Sequence, residues 1–309
     1  MELTELRYFY NVAQARSFSR GARLSHVSPP AISKAIKKLE EELGTPLFVR
    51  TTRMVSLTDA GELLVEHCRS LFHQVERLQK DIEEVGGVMR GEVRIGASEV
   101  FAAFLLPTAI ARITAAHPGV IPRCFQLVPE QIAHGLTHGE LDVGFTVGGE
   151  SFAGVDSMLI AESEGVLTCG RSHPLFASGE VSAADLETHP FVVPRHWQRE
   201  YLTALDRFPE KGVKRQIGAT TDRMSLAISL VVEGAFLGYF PQVTIGCQLR
   251  HDELKVMRGA PAAPPFRLEA LTRSGARARA TTGLVIEEVR RSVVETGGDP
   301  CGWTPSDAE

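Results

Sequence analysis

Apolar residues recur at helical spacing through the first forty-odd positions of the chain. Leu6, Phe9, Tyr10 and Ala13 share one face of a first helix. Ala22 puts a small side chain on a second helix, where two helices must cross closely. Ser28 is a good N-cap for a third, and Pro29 suits its first position, where the missing N–H costs nothing. Ile32, Ile36, Leu39 and Leu43 then form an apolar stripe, with Ser33, Lys34 and Lys37 on the opposite face. Gly44 ends this helix, and Pro46 prevents its resumption. Residues 46–53 follow as a basic, hairpin-like segment. Two short helices separated by a tight break and followed by such a hairpin predict a winged helix-turn-helix.

A long helix is predicted from Thr58, which with Asp59 can cap it. Leu64, Cys68, Leu71, Val75, Leu78, Ile82 and Val85 follow at alternating steps of four and three. That spacing is a heptad seam and predicts pairing with a second copy. Packing on the chain's own first domain is the competing reading. Gly86, Gly87 and Gly91 break the helix and mark a hinge.

Beyond residue 91, strand and helix patterns alternate, which predicts parallel, doubly wound α/β sheet. A first unit has strands at 92–98, 120–127 and 139–145, with helices between them. A second unit occupies 163–265, and a strand at 266–272 with a helix at 282–294 returns to the first. Two α/β lobes joined by crossing strands enclose a cleft suited to a small ligand. The expected domains are a winged module at 1–58, a linker helix and hinge at 59–90, and a two-lobed domain at 91–296. Lobe I takes 91–162 and 266–296, and lobe II takes 163–265. The tail at 297–309 is rich in chain breakers and is expected to be disordered.

Charge sharpens this picture. The whole chain carries a formal −5, which would repel a polyanion. Between Arg16 and Arg53, however, eight basic residues stand against Glu40, Glu41 and Glu42. A local basic patch of this kind is an electrostatic footprint for phosphate. Hydrophobic residues make up 43%, enough for real cores, yet no run of about twenty apolar residues could span a membrane. The N-terminus lacks a signal peptide's basic start and apolar run, so a cytoplasmic location is expected. Cys68, Cys124, Cys169, Cys247 and Cys301 are scattered and odd in number, with no Cys-x-x-Cys, which suggests neither a disulfide framework nor a zinc site.

Enzyme signatures are weak. His134 and His138 have the i, i+4 spacing of a metal pair, but no third ligand sits at a telling distance, so they read as surface histidines. Asp142 belongs to a Gly-Glu-Leu-Asp run that reads as structural. No Gly-x-Ser-x-Gly elbow surrounds Ser98, and no Walker loop or dinucleotide fingerprint occurs. The expectation is no catalytic activity, no cofactor and no metal. A solute-binding protein without a regulatory role is the rival reading, since the last two-thirds alone would suit it; the basic winged module argues against that.

The stretch from Leu3 to about Leu64 resembles the N-terminal domain of the LysR-type transcriptional regulators. The matching residues are Leu6-Arg-Tyr-Phe9, Ser17-Phe-Ser19, Val27-Ser28, Ala31-Ile-Ser33, Lys37-Lys-Leu-Glu-Glu-Glu-Leu-Gly44, Pro46-Leu-Phe48 and Leu57-Thr-Asp-Ala-Gly61. More loosely, Pro118, Gly139-Glu-Leu-Asp142, His173-Pro-Leu175, Gly234 and Pro241 resemble landmarks of the family's effector domain. Three departures stand out: Pro29 where the family usually has glutamine, Ala35 where it often has glutamine or histidine, and Phe236 in place of a second glycine after Gly234. The first two remove groups that could read base edges, so direct readout leans on Ser33 and Lys34, with more weight on phosphate and DNA shape.

The resemblance implies a dimer, or dimer of dimers, on double-stranded promoter DNA, a small-molecule effector, RNA polymerase as a further partner, and a two-lobed fold like that of periplasmic binding proteins. The candidate DNA contacts are Arg20, Arg23, Ser28, Pro30, Ser33, Lys34, Lys37, Arg50, Thr51 and Arg53. The dimerisation seam is Leu64, Cys68, Leu71, Val75, Leu78 and Ile82. Candidate effector contacts lie at strand ends and following loops: Ser98, Val128, Pro129, Phe145 and Thr146, with Arg195 and Trp197 from lobe II. In the family the Ser98 position and the loop after the second strand often carry small polar residues that bind an effector carboxylate. Here that loop is the apolar Leu127-Val128-Pro129, which suits a less polar ligand or an anion held from elsewhere.

Overall fold

The computed structural model describes residues 1–50, 55–84, 89–194, 208–209, 215–261, 263–276, 279–297 and 299–300. Three helices open the chain: α1 (Leu3–Ala15), α2 (Phe18–Leu24) and α3 (Pro29–Leu43). The Ser28 hydroxyl accepts from the Ala31 N–H at 3.4 Å, Pro29 occupies the first turn, and Gly44 closes α3 at φ 68°. Phe9, Ile32, Ile36 and Leu39 are fully buried, whereas Leu43 is exposed and drops out of the expected stripe. The close crossing rests on Gly21 as well as Ala22, since a Cβ on Gly21 would lie 2.7 Å from the Val12 Cα. Strands β1 (Phe48–Arg50) and β2 (Val55–Leu57) pair antiparallel as the wing. The Glu40 carboxylate accepts from the Leu47 N–H at 2.9 Å and the Phe48 N–H at 3.3 Å, fixing the first wing strand to α3.

Helix α4 (Asp59–Glu84) begins as expected: Thr58 caps it by accepting from the Gly61 N–H at 3.1 Å. Its first half packs on its own domain. Val65, Cys68 and Phe72 are buried in the core of α1, α2 and α3, with Leu64 and Leu71 partly buried against it. Cys68 therefore leaves the predicted seam: at 1% exposure it has no surface to offer a second copy, and burial pushes its thiol up to about 11. Leu78 and Ile82, further along, are 60% and 66% exposed.

The second compact unit contains two mixed sheets. Its elements in order are β3 (Gly91–Ala97), a π-turn at Phe101–Leu105, α5 (Leu106–Ala116), β4 (Val120–Gln126), α6 (Pro129–Thr137), β5 (Val143–Val147) and β6 (Val155–Ser163). Then come β7 (Gly165–Gly170), α7 (Ala183–Thr188), β8 (Pro190–Pro194), β9 (Gln216–Thr221), α8 (Met224–Val232), β10 (Leu237–Pro241), α9 (Gly246–Arg250) and β11 (Leu254–Val256). The chain ends with β12 (Phe266–Arg273), α10 (Ala280–Glu295) and β13 (Asp299–Pro300). Lobe I is ordered β13-β6-β12-β5-β3-β4, and lobe II β11-β7-β10-β8-β9.

The expected parallel, doubly wound sheets are mixed. Strands β3, β4 and β5 run parallel, but β12 is antiparallel to both β5 and β6, and β7 is antiparallel to β10 and β11. The strands that run against their neighbours are the first to enter each sheet from the other lobe: β7 follows β6 of lobe I, and β12 follows β11 of lobe II. Asp299 and Pro300 also pair with Glu162 and Ala161, so part of the expected disordered tail is a short edge strand; residues 301–309 lie outside the described residues. Asp142 is structural, as read. Its carboxylate accepts from the Arg94 N–H at 2.8 Å and from the buried Arg279 guanidinium at 3.1 Å.

Candidate nucleic-acid interface and ligand cleft

The α3 surface follows from its burial pattern. With Ile32, Ile36 and Leu39 facing the core, Lys34 and Lys37 are left exposed and Ser33 half-exposed. Lys38 bends away to Glu5, its ammonium 2.7 Å from the carboxylate, and this hydrogen bond holds the Glu5 carboxyl below its ordinary range. Lys37 has only a loose partner, Glu41 at 3.6 Å, and both are about two-thirds exposed, so this pair is weak enough for a phosphate to displace. Lys34 has no carboxylate partner among the described residues. Arg20, Arg23, Ser28 and Pro30 are all exposed around the same helix-turn-helix. Thr51 and Arg53 lie outside the described residues, as does the side chain of Arg50. The result is one helix face with cationic charge and a hydroxyl, standing on an apolar core: the geometry a major-groove reader needs.

The candidate ligand site lies at strand ends. Gly96 and Gly144 lie against α6, where a Cβ on either would collide with Leu141 or Ile132. Side chains alternate along a strand, so Ser98 and Thr146, two residues further on, share that α6 face. The Ser98 N–H donates to the Phe145 carbonyl at 2.9 Å, which sets the two residues side by side. Both hydroxyls are buried without a hydrogen-bond partner among the described residues, and Thr146 is only 2% exposed. A buried, unpaired hydroxyl costs about 1–3 kcal/mol. Val128, the residue before α6, has no side-chain acceptor to offer the first-turn N–H groups, and its own N–H donates to the Gln131 side-chain oxygen at 3.3 Å. Cross-strand from Thr146, the buried Glu269 carboxylate is already held by Arg267 at 3.0 Å and the Ser157 hydroxyl at 2.9 Å.

Alternation also corrects one expected contact. Phe145 points the other way, fully buried in the lobe I core with its ring 5.3 Å from that of Phe101. Pro129 is buried and Val128 half-exposed at the start of α6. Arg195 and Trp197 lie outside the described residues. One residue of this region was missed altogether. Glu99, next to Ser98, crosses to lobe II and accepts from the Met224 N–H at 2.8 Å, the Ser225 N–H at 3.2 Å and the Ser225 hydroxyl at 2.8 Å. Sequence offered no signal for it, because its partners are 125 and 126 residues away.

His134 and His138 join no group of three or more metal-ligating side chains among the described residues. No helix among the described residues is long and apolar enough to cross a membrane.

These features define a class: a winged helix-turn-helix protein that binds DNA and carries a two-lobed ligand-binding domain. Comparison with known proteins agrees. Residues 3–62 match the bacterial regulatory helix-turn-helix protein, lysR family, and residues 86–293 match the LysR substrate binding domain. The chain belongs to the LysR family of transcriptional regulators, which are not enzymes. It is 30% identical to the HTH-type transcriptional regulator IlvY of Escherichia coli (strain K12) over 247 residues, covering 79% of this chain and 83% of that one. It is 32% identical to the HTH-type transcriptional regulator BudR of Raoultella terrigena over 252 residues, covering 78% and 85%. Its fold is similar to that of full-length CbnR complexed with target DNA, with a TM-score of 0.66 at 22% identity over 94% of this chain and 100% of that one.

Proposed function

We propose that this regulator binds its operator through the exposed face of α3 and the wing, as a dimer or dimer of dimers, and that a small molecule seated at Ser98 and Thr146 changes that binding. The observation that carries the ligand reading is the pair of buried hydroxyls without partners among the described residues, on the sheet face packed against α6, whose preceding residue is valine. Polar groups inside a protein are nearly always satisfied, so an unsatisfied adjacent pair at a strand end awaits a ligand oxygen. A carboxylate suits it best, since the helix N-terminus adds favourable charge.

On α4, the exposed Leu78 and Ile82 support pairing through the second half of the helix. A role on promoter DNA implies a cytoplasmic location, with RNA polymerase as a further partner. For the ligand to act as a signal, it must bind one arrangement of the oligomer better than another, a coupling of about 1–3 kcal/mol.

The test is a thermal-shift screen of metabolites on the full chain, repeated on Ser98→Ala and Thr146→Val. A true effector raises the melting temperature of the wild type and binds each variant more weakly, by about 0.5–1.5 kcal/mol per hydrogen bond removed. An effector that binds the Ser98→Ala, Thr146→Val double variant as tightly as the wild type refutes the site.

A further inference from the structure

Two helices present their N-termini at strand-end loops of this cleft, and they differ. Before helix α6 of lobe I stands Val128, which has no side-chain acceptor and whose own N–H donates to the Gln131 side-chain oxygen at 3.3 Å; on the sheet face packed against α6, the Ser98 and Thr146 hydroxyls have no partner among the described residues. Helix α8 of lobe II also lacks a cap of its own, since the side chain of Arg223 makes no cap hydrogen bond. There the cap is supplied from the other lobe. The Glu99 carboxylate receives two backbone N–H groups of the first turn and the Ser225 hydroxyl, at 2.8–3.2 Å. That is the set of donors a helix N-terminus offers an anion, and charge-assisted bonds of this kind are the stronger ones.

We propose that Glu99 is the protein's own anion for lobe II, and so a specificity-determining residue for the effector. Its carboxylate takes the place that a second acidic group of a ligand would otherwise occupy. The cleft then accepts one anionic end, at Ser98 and Thr146, and the effector is an acid with a single charged group. A dicarboxylate spanning the lobes would have to displace Glu99 from three hydrogen bonds. The choice of ligand class rests on the reading of Ser98 and Thr146 as the effector's seat; the occupation of α8 by Glu99 does not.

The experiment is amide hydrogen exchange at Met224 and Ser225 in the full chain, with acetate as the probe anion. In the wild type these amides are protected, and acetate leaves them unchanged. In Glu99→Ala they exchange at least about tenfold faster, the factor carried by one charge-assisted hydrogen bond. Acetate then restores protection in a saturable way, by taking the place of the removed carboxylate. Glu99→Gln, which keeps the shape of the side chain without its charge, loses part of the protection and serves if the alanine variant does not fold. Ser98→Ala leaves both amides as in the wild type, so a failure of the lobe I reading does not register in this measurement. The proposal is overturned if the wild type and Glu99→Ala exchange alike. It is also overturned if acetate protects both proteins equally or protects neither.

Discussion

The winged module and the two-lobed domain carry their candidate functional groups in opposite ways. On α3 the groups are exposed charges over a buried apolar stripe, with Lys34 and Lys37 outside and Ile32, Ile36 and Leu39 within. At the proposed ligand site they are buried polar atoms without a partner among the described residues, the Ser98 and Thr146 hydroxyls. A DNA phosphate is reached by charge standing in solvent, and its energy comes mainly from released counterions. A small ligand is held by pre-set groups that the folded protein leaves unsatisfied at its own cost. The first kind of site announces itself in composition, whereas the second exists only once strands are in register.

The sharpest way to separate the regions is to break the proposed oligomer without touching either. Leu78→Asp with Ile82→Asp changes two exposed side chains, so each chain stays folded. If they pair in the oligomer, charges buried there without partners cost about 3–5 kcal/mol, and light scattering shows the mass fall. An unchanged mass would move the pairing to other surfaces.

Ile36→Ala tests whether the winged module is an independent unit. Removing a fully buried isoleucine there costs about 2–5 kcal/mol, so DNA binding fails on mild heating. The effector domain keeps its own melting transition, and loss of both transitions together would deny the separation. Thr146→Val acts in the reverse sense. It replaces an unsatisfied hydroxyl with a methyl of similar size, so stability holds or rises by up to about 1–3 kcal/mol while effector affinity falls. A large loss of stability would mean that the hydroxyl has a structural partner.

The smallest effect concerns pH. His173 is buried beside His189, ring centroids 4.8 Å apart, and its Nδ1 accepts from the Leu175 N–H. Burial, with a smaller push from His189, lowers its pKa from 6.5. A histidine with a depressed folded pKa takes up its proton more readily when unfolded. The stability it contributes is present above its ordinary value and lost as pH falls through that value towards the folded one. Thermal unfolding of the effector domain should come at lower temperature on acidification, with a smaller drop in His173→Asn.

The same contrast explains what could be read from the chain. Ser28, Pro29, Gly44 and the Ile32, Ile36, Leu39 stripe were legible because caps and helical periodicity are local. The crossing at Gly21 was not, since a glycine in a helix shows no reason for its presence until Val12 lies against it. The heptad spacing of α4 concealed a change of role along one helix, with Cys68 buried in the first domain and Leu78 exposed. Ser98, Phe145 and Thr146 read as strand ends, but that position alone does not say which way a side chain points, and Phe145 turns into the lobe I core. Glu99 could not have been found, because its hydrogen bonds are to residues of lobe II, 125 and 126 positions along the chain.

The most direct test of the account is the salt dependence of DNA binding, measured on duplex from upstream of the protein's own gene. Wild type and Lys34→Ala, Lys37→Ala are titrated across a range of salt, and log Kobs is plotted against log salt. If the exposed face of α3 meets phosphate, the slope shallows by about 0.9 for each phosphate that is no longer neutralised, and affinity falls on all sequences alike. If Lys34 also touches a base, discrimination at one position relaxes by about 1–3 kcal/mol. Equal slopes and equal affinities for the two proteins would contradict the account.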